Sequence, residues 1–327
     1  MKRQIIIWLL VFMSSTLLAQ NEDQFLPSEL KQLTAVTEPA TLRQGFLRVG
    51  TSWEYTGFRT IYDEDANKIF IPGSAIARAA SFGLSVQYGI TDRIQANLYI
   101  PYHMDKVESV QLFDDPGFRS IELENYAILQ RNYAELGFGF GDLSAGIFTQ
   151  LIKESDYIPA ITIRTTAYLP TGRKNAGNIS EDSLTFDTPT GSGEFALAVD
   201  IQAKKIVYPY SFSFYTGFDY GFGGEKVFFP GDLPYPFRSA TVFYAAGGVN
   251  FHLNDWICMT NELYYTHIGR EVIDNITLDN TKWRLMLMPY IHFQVNQLRL
   301  VQGVTIPLMG KLIPADPTYR LIVQYIF

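Results

Sequence analysis

Histidine is the first side chain to examine for chemistry, because imidazole serves both as a general base and as a metal ligand. This sequence has four, His103, His252, His267 and His292, and none has a second histidine at ligand spacing. The single cysteine, Cys258, can neither close an intrachain disulfide nor build a metal site, and reads as a small apolar filler. A lipase or deacylase of the His-x-Ser kind needs a hydroxyl nucleophile two residues after its base. Those places hold Asp105, Asn254, Gly269 and Gln294. Asp63 to Asn67 begins like a calcium loop, but Lys68 stands where glycine is required and Ser74 where glutamate is required. Gly172 to Gly177 has phosphate-loop spacing with Asn178 in place of the lysine. Gly137-Phe-Gly-Phe-Gly141 leads into a strand pattern, so no helix dipole follows it to hold a phosphate. The expectation is a protein without catalytic residues, metal or cofactor.

A second set of residues carries more information. Asp142, Arg164, Glu194, Asp200, Glu262, Arg284 and Arg320 are charges set inside stretches where apolar and polar residues alternate. Tyr210, Phe212, Phe214, Thr216, Phe218 and Tyr220 alternate with Ser211, Ser213, Tyr215, Gly217 and Asp219. The same period runs through Ser81–Tyr88 and Ile94–Tyr102. A period of two separates the sets onto opposite faces of a strand, whereas a helix would scatter them round its axis. Twelve such strands are expected, at about 43–58, 75–88, 94–102, 141–151, 157–170, 193–203, 208–220, 240–253, 256–268, 282–295, 297–308 and 318–327. Their connections alternate between short turns and longer loops.

Composition decides what such a set of strands is for. Aromatic residues reach 15%, yet mean hydropathy is only +0.02. After residue 20 no apolar run is long enough for a spanning helix. Lys2 and Arg3, the apolar run Ile5–Met13, then Ser14, Ser15, Thr16 and Leu-Leu-Ala, read as an export signal cleaved after Ala19. Without Lys2 and Arg3 the chain has 24 basic against 33 acidic residues, a net charge of −9, which argues against nucleic acid as a partner. An exported, aromatic-rich chain of alternating strands fits an all-β, transmembrane antiparallel β-barrel of the bacterial outer membrane, where only every second residue meets lipid. An even strand number places both ends of the barrel in the periplasm.

Three segments follow: a signal at 1–19, a periplasmic segment at 20–42 and the barrel at 43–327. The middle segment carries a short helix pattern, capped by Ser28 with Leu30, Leu33 and Val36 on one face, and a lumen plug is its alternative reading. Trp53, Tyr55, Tyr102, Tyr220, Trp283 and Tyr319 fall toward the outer rim, and Tyr88, Tyr210, Phe293 and Phe327 toward the periplasmic rim, as interfacial girdles require. The terminal YRLIVQYIF places Tyr319, Leu321, Val323, Tyr325 and Phe327 on one face. It resembles the C-terminal signal read by the barrel assembly machinery, with Tyr325 and Phe327 as its end. The seven charges then point into the lumen, because an arginine facing lipid at mid-depth costs roughly 2–4 kcal/mol. Their mixed signs suit a bracing network in a filled barrel, a constriction that filters solutes, or both.

Several pieces, in order, resemble an outer-membrane transporter family named for the meta-cleavage pathway of phenol degradation. They are Tyr88-Gly89-Ile90-Thr91-Asp92-Arg93, Pro101-Tyr102, Gly139-Phe140-Gly141-Asp142-Leu143, Leu169-Pro170-Thr171-Gly172 and Gly191-Ser192-Gly193. The resemblance implies a barrel transporter for small, hydrophobic or aromatic solutes and carries over no catalytic residue. The expected function is passive passage of a small-molecule solute through a barrel seated in outer-membrane lipid. A lipase-type enzyme and a filled structural or adhesion barrel are the alternatives.

Overall fold

The structure is a computed structural model that describes residues 41–70, 76–109, 133–175, 184–187, 189–227, 233–254, 256–279 and 281–327. The expected signal segment and the helix pattern after Ser28 lie outside the described residues.

Twelve long strands form the wall: β1 Leu47–Phe58, β2 Ile76–Thr91, β3 Ile94–Ser109, β4 Leu143–Ile152, β5 Ala160–Leu169 and β6 Glu194–Val207, then β7 Tyr210–Lys226, β8 Val242–His252, β9 Ile257–Ile268, β10 Lys282–Val295, β11 Leu298–Lys311 and β12 Thr318–Ile326. Each pairs antiparallel with the next, and β12 pairs with β1 to close the barrel. Closure leaves no open edge, so the backbone donors and acceptors of the wall are satisfied within it, as a hydrocarbon environment demands.

The alternation decides which side each residue takes. Phe212, Phe214 and Phe218 are exposed on the outer surface, while Ser211, Ser213 and Tyr215 between them are buried inside. Trp53 and Tyr55 stack at 6.2 Å near the outer end of β1, and Tyr55 lies opposite Tyr319 of β12. At the other rim Tyr210 packs on Phe251 at 5.2 Å and Tyr325 on Phe327 at 4.7 Å. Short turns and both ends of the barrel share that second rim, the periplasmic one in outer-membrane barrels.

Several strands outrun the lengths read from the sequence. β3 continues to Ser109, where it pairs with Tyr133–Phe140, and β7 continues to Lys226, where it pairs with Tyr235–Arg238. Beyond Tyr102 and Phe222 the sequence of these extensions loses the apolar alternation that marks a strand, and backbone pairing alone carries them on. A separate small sheet joins Thr60–Tyr62, Lys68–Phe70 and Ile313–Pro314 at the outer rim. It ties the loop after β1 to the loop before β12.

Candidate functional site

The lumen is lined by the inward half of every strand, and its charges are sorted by depth. Near the periplasmic rim the inward residues are Arg48, Lys204 and Arg299 with Gln87, Gln95, Gln202, Gln294 and Gln324. Among the described residues no carboxylate faces this layer. Arg48 Nη1 donates to Gln87 Oε1 at 3.0 Å, and Arg299 Nη1 to Gln324 Oε1 at 3.3 Å. Arg299 Nη2 lies 3.3 Å from His292 Nδ1, and His292 Nε2 lies 2.9 Å from Thr260 Oγ1. An arginine only donates, so His292 accepts at Nδ1 and donates from Nε2 to Thr260. Thr260 in turn donates to Asn250, whose Nδ2 donates to Ser211 Oγ at 3.0 Å. The result is a hydrogen-bonded belt that fixes the side chains of this layer.

The middle layer holds paired charges. Asp200 stands directly opposite Arg164 in the register of β6 and β5, and Arg164 Nε donates to Asp200 Oδ2 at 2.6 Å. The same carboxylate accepts from the Tyr244 hydroxyl at 3.1 Å and from Gln202 Nε2 at 2.9 Å. Arg164 also lies 5.3 Å above the Phe148 ring. Arg320 pairs with Glu54 at 2.6 Å. Glu262 is buried and accepts from the Tyr215 hydroxyl at 3.0 Å. Tyr215, Tyr244 and Tyr264 stand in a triangle with centroids 6.0–6.3 Å apart and fill one side of the lumen. Tyr290 lies flat over Gly303 of the neighbouring strand, where a Cβ would sit 2.1 Å from the ring, so only glycine leaves room for it. Arg284 has no ion pair among the described residues, and its Nε has no hydrogen-bond partner.

Toward the outer rim Asp142, Glu194, Asp219 and Glu271 border one cavity, and lysines stand near them, Lys282 within 3.9 Å of Glu271. The structure shows that two of them hold loops. Glu194 accepts the backbone N–H of Gly223 and of Ser239, each at 2.9 Å. Asp142 accepts the N–H of Gly172 at 3.0 Å and of Ser192 at 2.6 Å, and also the Ser192 hydroxyl. Thr171 Oγ1 accepts from Leu143 N at 2.9 Å, and Thr190 Oγ1 donates to the Phe140 carbonyl at 2.8 Å. Three of the sequence pieces behind the family resemblance therefore meet in one clasp. Its glycines are needed because Gly172 and Gly191 pass backbone to backbone: a Cβ on Gly172 would lie 2.7 Å from the Gly191 Cα.

Three cavities are stacked along this lumen. The outer one, about 340 Å³, has Ala196, Ala240, Val242 and Ile268 in its wall. The middle one, about 250 Å³, is bordered by Asn97, Tyr99, Arg164, Asp200 and Tyr244. The inner one, about 120 Å³, is bordered by Arg48, Arg164 and Arg299. Of these three, the cavity on the periplasmic side has the smallest volume.

Sequence reading missed Glu54, Arg48, Lys204 and Arg299, although each stands on the inward phase of its strand. The calcium-like start at Asp63 is a local turn: Asp63 Oδ1 accepts from Asp65 N at 2.9 Å and from Asn67 N at 2.8 Å. No group of three potential metal ligands occurs among the described residues.

Comparison with solved structures fixes the fold. An outer membrane channel from Pseudomonas putida F1 superposes with a TM-score of 0.67 over 90% of this chain and 99% of its own, at 12% identity. This chain has the fold of an outer-membrane β-barrel. Weaker likenesses include a monoaromatic hydrocarbon channel, the TodX deltaS2S3 mutant, with TM-score 0.45, 8% identity, and 87% and 91% of the two chains covered. The NanC porin gives 0.45 at 10% identity over 85% and 98%. No family model matches the sequence, and no curated protein matches it.

Proposed function

We propose that the barrel is a passive channel for small solutes and has no catalytic role. The observation that carries this reading is the stacked series of cavities through a polar lumen, under a surface whose lipid-facing side chains are apolar. The resemblance to the phenol-pathway transporter family and the apolar wall of the outer cavity favour solutes with a hydrophobic or aromatic body. In this reading solutes descend their own gradient. The tyrosine triangle and the belt favour a filled, bracing interior as the second reading. Swelling of proteoliposomes in a series of small sugars and aromatic acids separates the two. Swelling that falls with solute size supports a channel, and absence of swelling for every solute leaves the bracing barrel.

A further inference from the structure

The outer cavity joins an apolar wall to one carboxylate that lacks a partner. It is the largest of the three cavities, at about 340 Å³. Ala196, Ala240, Val242, Ile268 and Tyr168 stand in its wall. Four carboxylates border it, and three of them are engaged. Asp142 and Glu194 hold backbone N–H groups of the loops, and Glu271 has Lys282 at 3.9 Å. Asp219 is the fourth. Among the described residues it makes no ion pair and no hydrogen bond, and its Oδ1 is buried without a donor. Register explains this. Asp219 stands on β7 opposite Ala198 of β6 and Val242 of β8, and the next inward places along β7 are Gly217 and Gly221. None of these four side chains carries a donor. Arg164, one layer deeper, is bonded to Asp200.

We propose that the outer cavity is a binding site for small hydrophobic amines, with Asp219 as the contact for the ammonium group. This rests on the channel reading and names the charge of the solute received at its outer end. An apolar cavity with a few convergent polar groups is the ordinary form of a small-molecule site. A carboxylate buried without donors is unfavourable, and a ligand that brings the donors relieves it. An ammonium presents three donors and no acceptor, so it matches such a carboxylate. The Tyr168 ring in the same wall adds to the attraction of a cation. An organic carboxylate would bring a like charge to Asp219. A neutral alcohol would gain the apolar wall without the charge.

The test is the thermal midpoint of the detergent-solubilised protein, titrated at neutral pH and matched ionic strength with benzylamine, benzyl alcohol or sodium benzoate. The rise of the midpoint with concentration gives an apparent affinity for each probe. Wild type is expected to bind benzylamine on the order of tenfold more tightly than benzyl alcohol, the scale of one charge-assisted hydrogen bond, and benzoate least. Asp219→Asn keeps the size, removes the charge and is expected to erase the difference between amine and alcohol. Ala240→Leu fills part of the cavity, leaves Asp219 in place and is expected to weaken amine and alcohol alike. Heat-modifiable migration on a denaturing gel shows whether each variant is folded. Should a variant fail to fold, the three probes on wild type still decide. Equal binding of amine and alcohol, tighter binding of benzoate, an undiminished amine preference in Asp219→Asn, or no shift with any probe overturns the proposal. The midpoint needs no conduction, so a barrel that passes no solute sinks the channel reading alone and leaves the site to these titrations.

Discussion

Glu54 and Arg320 face each other across the seam where the first barrel strand meets the last. They are register partners, and Arg320 Nη2 reaches Glu54 Oε1 at 2.6 Å. Arg320 Nη1 also approaches the Tyr290 hydroxyl at 3.5 Å. This junction joins strands far apart in sequence, so its closure bears the largest loop entropy of the wall. Both side chains are about one-third exposed to the lumen, which places the pair between an exposed and a buried one. Glu54→Gln is expected to destabilise the barrel by about 1 kcal/mol. The measurement is the temperature at which the unboiled, fast-migrating form converts to the unfolded form on a denaturing gel. In a double-mutant cycle with Arg320→Gln, a coupling near zero would show that the pair contributes nothing to closure.

The same seam ends at the C-terminus. Phe327 N donates to the Leu47 carbonyl at 2.8 Å, and Leu47 N to the Phe327 carbonyl at 3.3 Å. Deleting Phe327 removes these bonds, its ring contact with Tyr325 and the end of the proposed assembly signal. We expect outer-membrane abundance to fall several-fold while total synthesis is unchanged, as immunoblots of fractionated membranes would show. Phe327→Ala keeps the backbone bonds, so a full loss with alanine places the effect on the aromatic side chain.

Legibility in the sequence followed the lipid. Where one face meets hydrocarbon, as at Tyr210–Tyr220, alternation alone assigned strand and side. Arg164, Glu194 and Asp200 were legible as inward charges on consecutive strands, but only the register makes Asp200 rather than Glu194 the partner of Arg164. Depth was harder for Arg48, Lys204 and Arg299, since only register shows that three different strands bring them to one layer. Register shifts at Gly89/Thr91, Gln150/Ile152 and Leu285/Met286 alter phase locally and leave no mark in a period-two count. The Asp142 clasp joins pieces 30 and 50 residues apart, and nothing in any one piece names the others.

The clasp gives a local prediction. The Asp142 carboxylate holds two backbone N–H groups and one hydroxyl. Charge-assisted bonds of this kind contribute roughly 1.5–3 kcal/mol each. Asp142→Ala is expected to free the Gly172–Lys174 segment and raise the rate of trypsin cleavage after Arg173 or Lys174 several-fold. The twelve-stranded wall is made by other contacts, so heat-modifiable migration is expected to persist. Unchanged cleavage would show that the glycine contact alone holds the segment.

Asp316, in the loop before β12, gives a pH dependence. Burial works to raise its pKa, but hydrogen bonds from Arg59 N at 2.8 Å and Thr60 N at 2.9 Å outweigh it and hold the carboxyl below the ordinary aspartate range. Lys68 at 3.5 Å acts in the same direction. A folded pKa below the unfolded one means that this stabilisation is present above the unfolded value and is lost as pH falls through the folded value. The small outer sheet is therefore expected to be held at neutral pH and loosened in acid. The check is the thermal midpoint from neutral pH down to acid for wild type and Asp316→Asn. The wild-type advantage is expected to shrink with falling pH, and a constant difference would contradict the assignment.

Arg164 and Asp200 separate the two readings of the lumen. Asp200 is almost fully buried, and removing its partner leaves the charge with only Tyr244 and Gln202. Breaking a buried pair on one side costs about 3–5 kcal/mol, so Arg164→Ala is expected to lower the unfolding temperature clearly. Asp200→Asn is expected to cost less, because its amide oxygen still accepts from Tyr244 and the freed guanidinium is partly exposed to the lumen. The two variants differ in sign. Arg164 borders both the inner and the middle cavity, so its loss opens the junction between them and removes one positive charge, whereas Asp200→Asn removes a negative one. Single-barrel recordings are expected to show higher conductance with selectivity shifted toward cations for Arg164→Ala, and selectivity shifted toward chloride for Asp200→Asn. If both variants lose stability and neither changes conduction, the pair only braces the wall, and the solute path runs elsewhere in the lumen.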